Sequence, residues 1–134
     1  MLKNMLILTL RTDKPEAEIG LYQDEIQLAY VTWEADRKLA ETLHQRLRDL
    51  LKEHDHAFAD LEGVIVFKGP GSFTGLRIGI TVANALADGF AIPIVGTMDK
   101  SWIDDGLKLL GNGDNQRIVL PEYGAPPHIT TPRK

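Results

Sequence analysis

Lys68-Gly69-Pro70-Gly71-Ser72-Phe73-Thr74-Gly75-Leu76-Arg77-Ile78-Gly79 is the stretch on which the fold turns. Behind it, residues 63–67 form a short apolar run that reads as a buried strand. Residues 69–75 are a glycine-rich turn, and residues 74–90 read as a helix. Upstream, residues 5–10 are nearly continuously apolar, the mark of a strand covered on both faces. Residues 18–22 and 25–33 are rich in Ile, Leu, Tyr and Val and read as two strands, with Gln23-Asp24 as the hairpin link. The period then changes. Leu39, Leu43, Leu47, Leu50 and Leu51 recur at three and four residues, with charged side chains elsewhere on the wheel, so residues 35–54 are expected as an amphipathic helix. Downstream, residues 91–95 read as a strand, 101–110 as a short helix and 118–120 as a last strand. The tail from 121 to 134 carries four prolines and reads as extended or loose. The order βββαβαβ predicts an α/β lobe with a mixed sheet, its first strand central and helices packed on it.

At 134 residues the chain amounts to one domain. It contains no cysteine, which excludes a disulfide framework and a thiolate zinc site. The opening ten residues lack the core length and cleavage site of a signal peptide, and no run reaches the twenty or so apolar residues of a membrane span, so the chain reads as cytoplasmic. Net charge is −4, and the basic cluster is confined to Arg133-Lys134. A protein that held nucleic acid by itself would show a basic face.

Free N–H groups at a helix start can cradle phosphate, which makes Gly69, Gly71, Ser72, Thr74 and Gly75 candidate nucleotide contacts. The P-loop pattern fails because Leu76-Arg77 follows Gly75, and the dinucleotide pattern fails because position 74 is threonine. Two readings stay open: a tight turn with Ser72 capping the helix, or a phosphate site. In the helix, Gly75, Gly79, Ala83 and Ala87 lie four apart and form a ridge of small residues. Such a ridge fits close packing within the chain and equally a tight contact with another chain's helix. His44, His54 and His56 do not converge as metal ligands, Asp104-Asp105 reads as solvated surface, and Ser72 has no His–Asp relay. Trp33 and Trp102 read as core or contact anchors.

Residues 69–79, with Ile92-Pro93-Ile94-Val95-Gly96 behind them, resemble the signature region of the TsaB (YeaZ) family, and the likeness covers about residues 5–97. It implies a single actin/Hsp70-like lobe (ASKHA, ribonuclease H-like). It also implies a non-catalytic scaffold or activating partner of TsaD, the subunit that forms N6-threonylcarbamoyladenosine at position 37 of tRNA. TsaE, an ATPase, would be a further partner, and tRNA an indirect one. The pairing surface implied is the two long helices, with Leu39, Leu43, Leu47, Gly75, Gly79, Ala83 and Ala87 as interface residues. A homodimer through the same helices is the rival. No cofactor of its own is implied; ATP or ADP with Mg would be held only in complex with partners, the glycine turn contributing backbone donors.

Two departures stand out. Where the family commonly carries Asp-Thr-Ser, this chain has Arg11-Thr12-Asp13, and arginine can neither coordinate magnesium nor act as a carboxylate base. That argues against the other rival, a nucleotide-binding phosphotransferase lobe. Only twenty residues separate Thr97 from Ile118, while Tyr123-Gly124-Ala125-Pro126-Pro127-His128-Ile129-Thr130 still resembles the family's closing tail. The reading is a lobe at 1–97 followed by a reduced remnant at 98–134, in which 101–110 and 118–120 fold back with Trp102 as an anchor.

Overall fold

The computed structural model describes residues 4–71 and 73–123. The first apolar run becomes β1 (Leu6–Arg11), buried from Leu6 through Leu10 because both its faces are covered. β2 (Glu16–Gln23) pairs antiparallel with β1, and β3 (Ile26–Glu34) antiparallel with β2. The turn between them is Asp24-Glu25, one residue later than expected. Asp24 adopts a left-handed backbone (φ 55°), and its carboxylate accepts the amides of Asn4 and Met5 at 2.8 and 2.7 Å. A short acidic side chain thus does here what glycine usually does.

α1 (Leu39–Glu53) buries Leu39, Leu43, Leu47, Leu50 and Leu51. It begins later than residue 35 because the Pro15 carbonyl accepts the amides of Ala35 and Asp36 at 2.9 and 3.1 Å. Asp36 is also left-handed (φ 46°), so Asp36–Lys38 forms only a 3₁₀ turn. β4 (Gly63–Gly69) lies parallel to β1, α2 (Phe73–Phe90) follows, and β5 (Ile94–Met98) lies parallel to β4. The strand expected at 91–95 begins later as β5, because Ala91 takes a left-handed backbone (φ 55°) at the end of α2 and postpones pairing. α3 is Trp102–Gly111.

The sheet order is β3-β2-β1-β4-β5, a mixed sheet with β1 central, as the element order predicted. Alternation sorts the side chains to two faces. Gly63, Ile65 and Phe67 meet α3, with Trp102 edge-on to Phe67 at 5.9 Å between centroids. The opposite face is covered by α1 and α2, which touch each other. Residues 118–120 are not a strand, although Val119 is buried. Among the described residues, no helix is long and apolar enough to cross a membrane.

Candidate functional site

The C-terminal ends of β1 and β4 meet the start of α2, and four contacts organise that corner. The Arg11 guanidinium donates to Asp13 at 2.8 and 3.2 Å and lies 3.9 Å above the Phe67 ring. Burial alone would lower the Arg11 guanidinium, but the hydrogen bond and charge of Asp13, with Glu18 behind it, outweigh that and raise it. The Asp13 side chain is only 7 % exposed, so its negative charge is neutralised within the chain. Gly71 packs against Asp13, where a side chain at 71 would collide. The Thr12 hydroxyl donates to the Gly75 carbonyl at 2.8 Å, tying β1 to the first turn of α2.

The glycine turn is not an open cradle. Gly69 has φ +130°, a conformation that favours glycine, and the space beside it is filled by the backbone carbonyl of Glu122. The Glu122 amide donates to the Lys68 carbonyl at 2.7 Å. Thr74 is exposed and Gly75 half-buried at the head of α2, while Ser72 lies outside the described residues. Among the described residues, no three His, Asp or Glu side chains gather as a metal-binding group.

The expected interface residues sit elsewhere than on the surface. Leu39, Leu43 and Leu47 are buried in the chain's own core, as are Gly79, Ala83 and Ala87. At Gly79 any side chain would run into Thr12. The small-residue ridge lets α2 approach the end of β1, so it is an internal contact, and the interface assignment of these residues is corrected accordingly. Gly75 alone of that set remains partly accessible.

What the two helices do present outward is an apolar groove of about 380 Å³ lined by Ala40, Phe73, Arg77, Ile78 and Val82, with Thr74 and Thr81. Phe73 is 57 % exposed. A second hollow of about 320 Å³ shares Thr74 and Ile78 and is edged by Lys14 and Arg37. Lys14 pairs with Glu18 at 3.2 Å, whereas Arg37 and Arg77 make no ion pair among the described residues. A signal for this groove existed in the sequence. Residues 73–90 are apolar on more than the face that meets the sheet, and a helix apolar on two sides needs a second cover.

Comparison with known proteins bears on which family builds such a lobe. Residues 31–99, just over half of the chain, match the family model described as TsaD, tRNA N6-adenosine threonylcarbamoyltransferase. The chain is 36% identical over 91 residues to the tRNA threonylcarbamoyladenosine biosynthesis protein TsaB of Bacillus subtilis, covering 67% of this chain and 39% of that protein. The TsaB of Escherichia coli is 30% identical over 92 residues, covering 69% and 39%. The chain thus spans about two fifths of the length of these curated relatives. The solved structure of YeaZ from Pseudomonas aeruginosa superposes with a TM-score of 0.66 at 27% identity, over 76% of this chain and 50% of that one. With its ASKHA-type sheet, its strand–glycine turn–helix unit and these relatives, the chain belongs to the TsaB (YeaZ) family, within the wider TsaD family whose model it matches.

Proposed function

We propose that this chain is a non-catalytic subunit that docks a TsaD-like transferase and so takes part in forming N6-threonylcarbamoyladenosine on tRNA. The observation that carries the reading is the outward groove between α1 and α2, apolar along Phe73, Ile78 and Val82 and flanked by Arg77, which makes no ion pair among the described residues. A partner helix with an apolar stripe and a nearby carboxylate fits it by shape and charge. At the end of β1, a position suited to organising metal and phosphate carries the self-neutralised Arg11–Asp13 pair, which supports a role without chemistry of its own. ATP or ADP with Mg would then belong to the complex, a TsaE-like ATPase would join it as a further subunit, and tRNA would be held by the partner, consistent with a net charge of −4.

The test is co-purification with the TsaD-like subunit of the same organism, followed by size-exclusion chromatography. A 1:1 complex is expected, and Val82→Glu, which sets a charge in the groove, should weaken it at least tenfold while the chain stays folded. A Val82→Glu chain that still binds normally would remove the groove from the proposal. The rival homodimer uses the same groove; it wins if the chain self-associates through Val82 and shows no affinity for the transferase subunit.

A further inference from the structure

Residues 115–123 form a strap that has no regular secondary structure yet is anchored along its whole course. At its start, the Asn115 side-chain oxygen Oδ1 accepts the amide of Ile94 at 3.1 Å. The Gln116 side chain accepts the amide of Gly96 at 3.0 Å, and the Gln116 amide donates to the Ile94 carbonyl at 2.9 Å. Midway, the Asn84 side chain of α2 grips Val119 from both sides, donating to its carbonyl at 3.0 Å and accepting its amide at 2.9 Å. Val119 is buried against Gly96, where any larger residue would displace it. At its far end, the Glu122 amide is held by Lys68, and the Tyr123 ring stacks on Phe73 at 3.9 Å between centroids.

The strap therefore begins on the edge of β5 and ends on a residue that lines the α1/α2 groove. Phe73 sits in the first turn of α2, beside the glycine turn, and more than half of it is exposed. Left alone, such a ring would sample several rotamers, and holding it in one costs entropy on binding. Tyr123 holds it in advance. Stacked aromatic pairs of this kind are the residues that dominate interface energetics when they lie at the centre of a contact.

We infer that the strap is a second wall of the docking surface: Tyr123 fixes Phe73 at the mouth of the groove, and a TsaD-like subunit seated on α1 and α2 also covers Tyr123. This rests on the docking role proposed above. The surface is continuous, since Phe73 belongs to both the groove and the aromatic pair. Arg77, one turn along the same helix face and without an ion pair among the described residues, sets the charge the occupant must complement. The occupant is accordingly a helix-bearing transferase subunit that presents an apolar stripe with a carboxylate. Tyr123 is a contact residue in this arrangement, and Asn84 is a positioning residue that acts through the strap.

The experiment measures the dissociation constant of the full chain for the TsaD-like subunit, with Tyr123→Ala, Tyr123→Phe, Asn84→Ala and Val82→Glu, and maps tyrosine nitration of the unmodified chain with and without that subunit. Tyr123→Ala should weaken binding about tenfold or more, as expected for an aromatic hot spot. Tyr123→Phe keeps the ring and should bind within about twofold of the native chain, and Asn84→Ala should fall between them. Nitration attacks phenolates; Tyr22 and Tyr30 have hydroxyls engaged by Gln27 and Glu18 at 3.0 and 2.6 Å, so Tyr123 should be the reactive ring and should become protected in the complex. Loss of binding in Val82→Glu with native affinity in Tyr123→Ala, or nitration of Tyr123 unaffected by the subunit, overturns the strap's role and leaves the groove standing. Native affinity in Val82→Glu removes the groove reading itself. Protection of Tyr123 only on self-association overturns the choice of occupant. The footprint uses the native chain, so a variant that failed to fold would leave the question decidable.

Discussion

Gly79 shows how one missing side chain sets the position of a helix. Glycine in a helix interior gives up about 1 kcal/mol of propensity relative to alanine. The structure accounts for the concession, because Thr12 occupies the space a side chain would need, and the Thr12 hydroxyl is at the same time bonded to the Gly75 carbonyl one turn earlier. Replacing Gly79 by leucine therefore sets two terms against each other. Helix propensity improves by several tenths of a kcal/mol, and overpacking against Thr12 and the end of β1 costs about 1–3 kcal/mol. Overpacking wins. Gly79→Leu should melt several degrees lower than the native chain, while the fraction that remains folded binds a partner with native affinity. A variant with an unchanged melting point and lost binding would instead return the small-residue ridge to the surface. Arg11 makes the complementary case. Its pairing with Asp13 balances that carboxylate within the chain, and the same guanidinium covers the Phe67 ring.

At the scale of elements, the β2–β3 hairpin carries the clearest electrostatic signature. Tyr30 donates to Glu18 at 2.6 Å, and burial first, then that hydrogen bond, push its ionisation far above the usual tyrosine range. Tyr22 is raised as well, by burial and by the nearby Asp104 of α3. Both groups hold their protons more tightly folded than unfolded. Their contribution to stability is thus complete below the ordinary tyrosine value near 10 and is lost as pH rises above it, where the unfolded chain ionises first. Denaturation midpoints followed from pH 8 to 11 should fall above about pH 10, and the fall should be shallower in Tyr30→Phe. An equally steep decline in Tyr30→Phe would show that another group governs alkaline unfolding. Most elements were legible beforehand for a simple reason: β1 is an unbroken apolar run and α1 follows a single helical period, and burial obeys both signals. Boundaries slipped where a side chain or a left-handed residue intervened, as at Asp24, Asp36 and Ala91. The candidate site was less legible. A leucine stripe signals a buried face without saying what buries it, and here the covering surface is the chain's own sheet. Residues 118–120 were expected as a strand; Val119 is held by the amide of Asn84, a side-chain substitute for a ladder that no periodicity reveals.

The whole molecule is a lobe that spans about two fifths of the length of its curated relatives. α3 and residues 115–123 pack on β4 and β5, and the side chains of Asn115 and Gln116 satisfy edge amides of β5 that would otherwise invite pairing with another chain. The strap also passes over the glycine turn, which bears directly on nucleotide binding. A ligand at the turn would have to displace Glu122 from Gly69 and break its bond to Lys68, and it would find Asp13, which packs against Gly71, already paired with Arg11. ATP with magnesium should accordingly leave the melting curve of the isolated chain unmoved. The expected contrast is measurable, because a ligand at a hundred times its dissociation constant contributes about 2.7 kcal/mol, roughly ten degrees for a chain of this size. In a mixture with the TsaD-like subunit, the same titration should raise the transition of the complex. A rise of several degrees in the isolated chain would favour a nucleotide-binding lobe over a docking subunit, and Arg11→Ala would then locate the site: a change in that rise places the nucleotide at the end of β1, and an identical rise places it elsewhere.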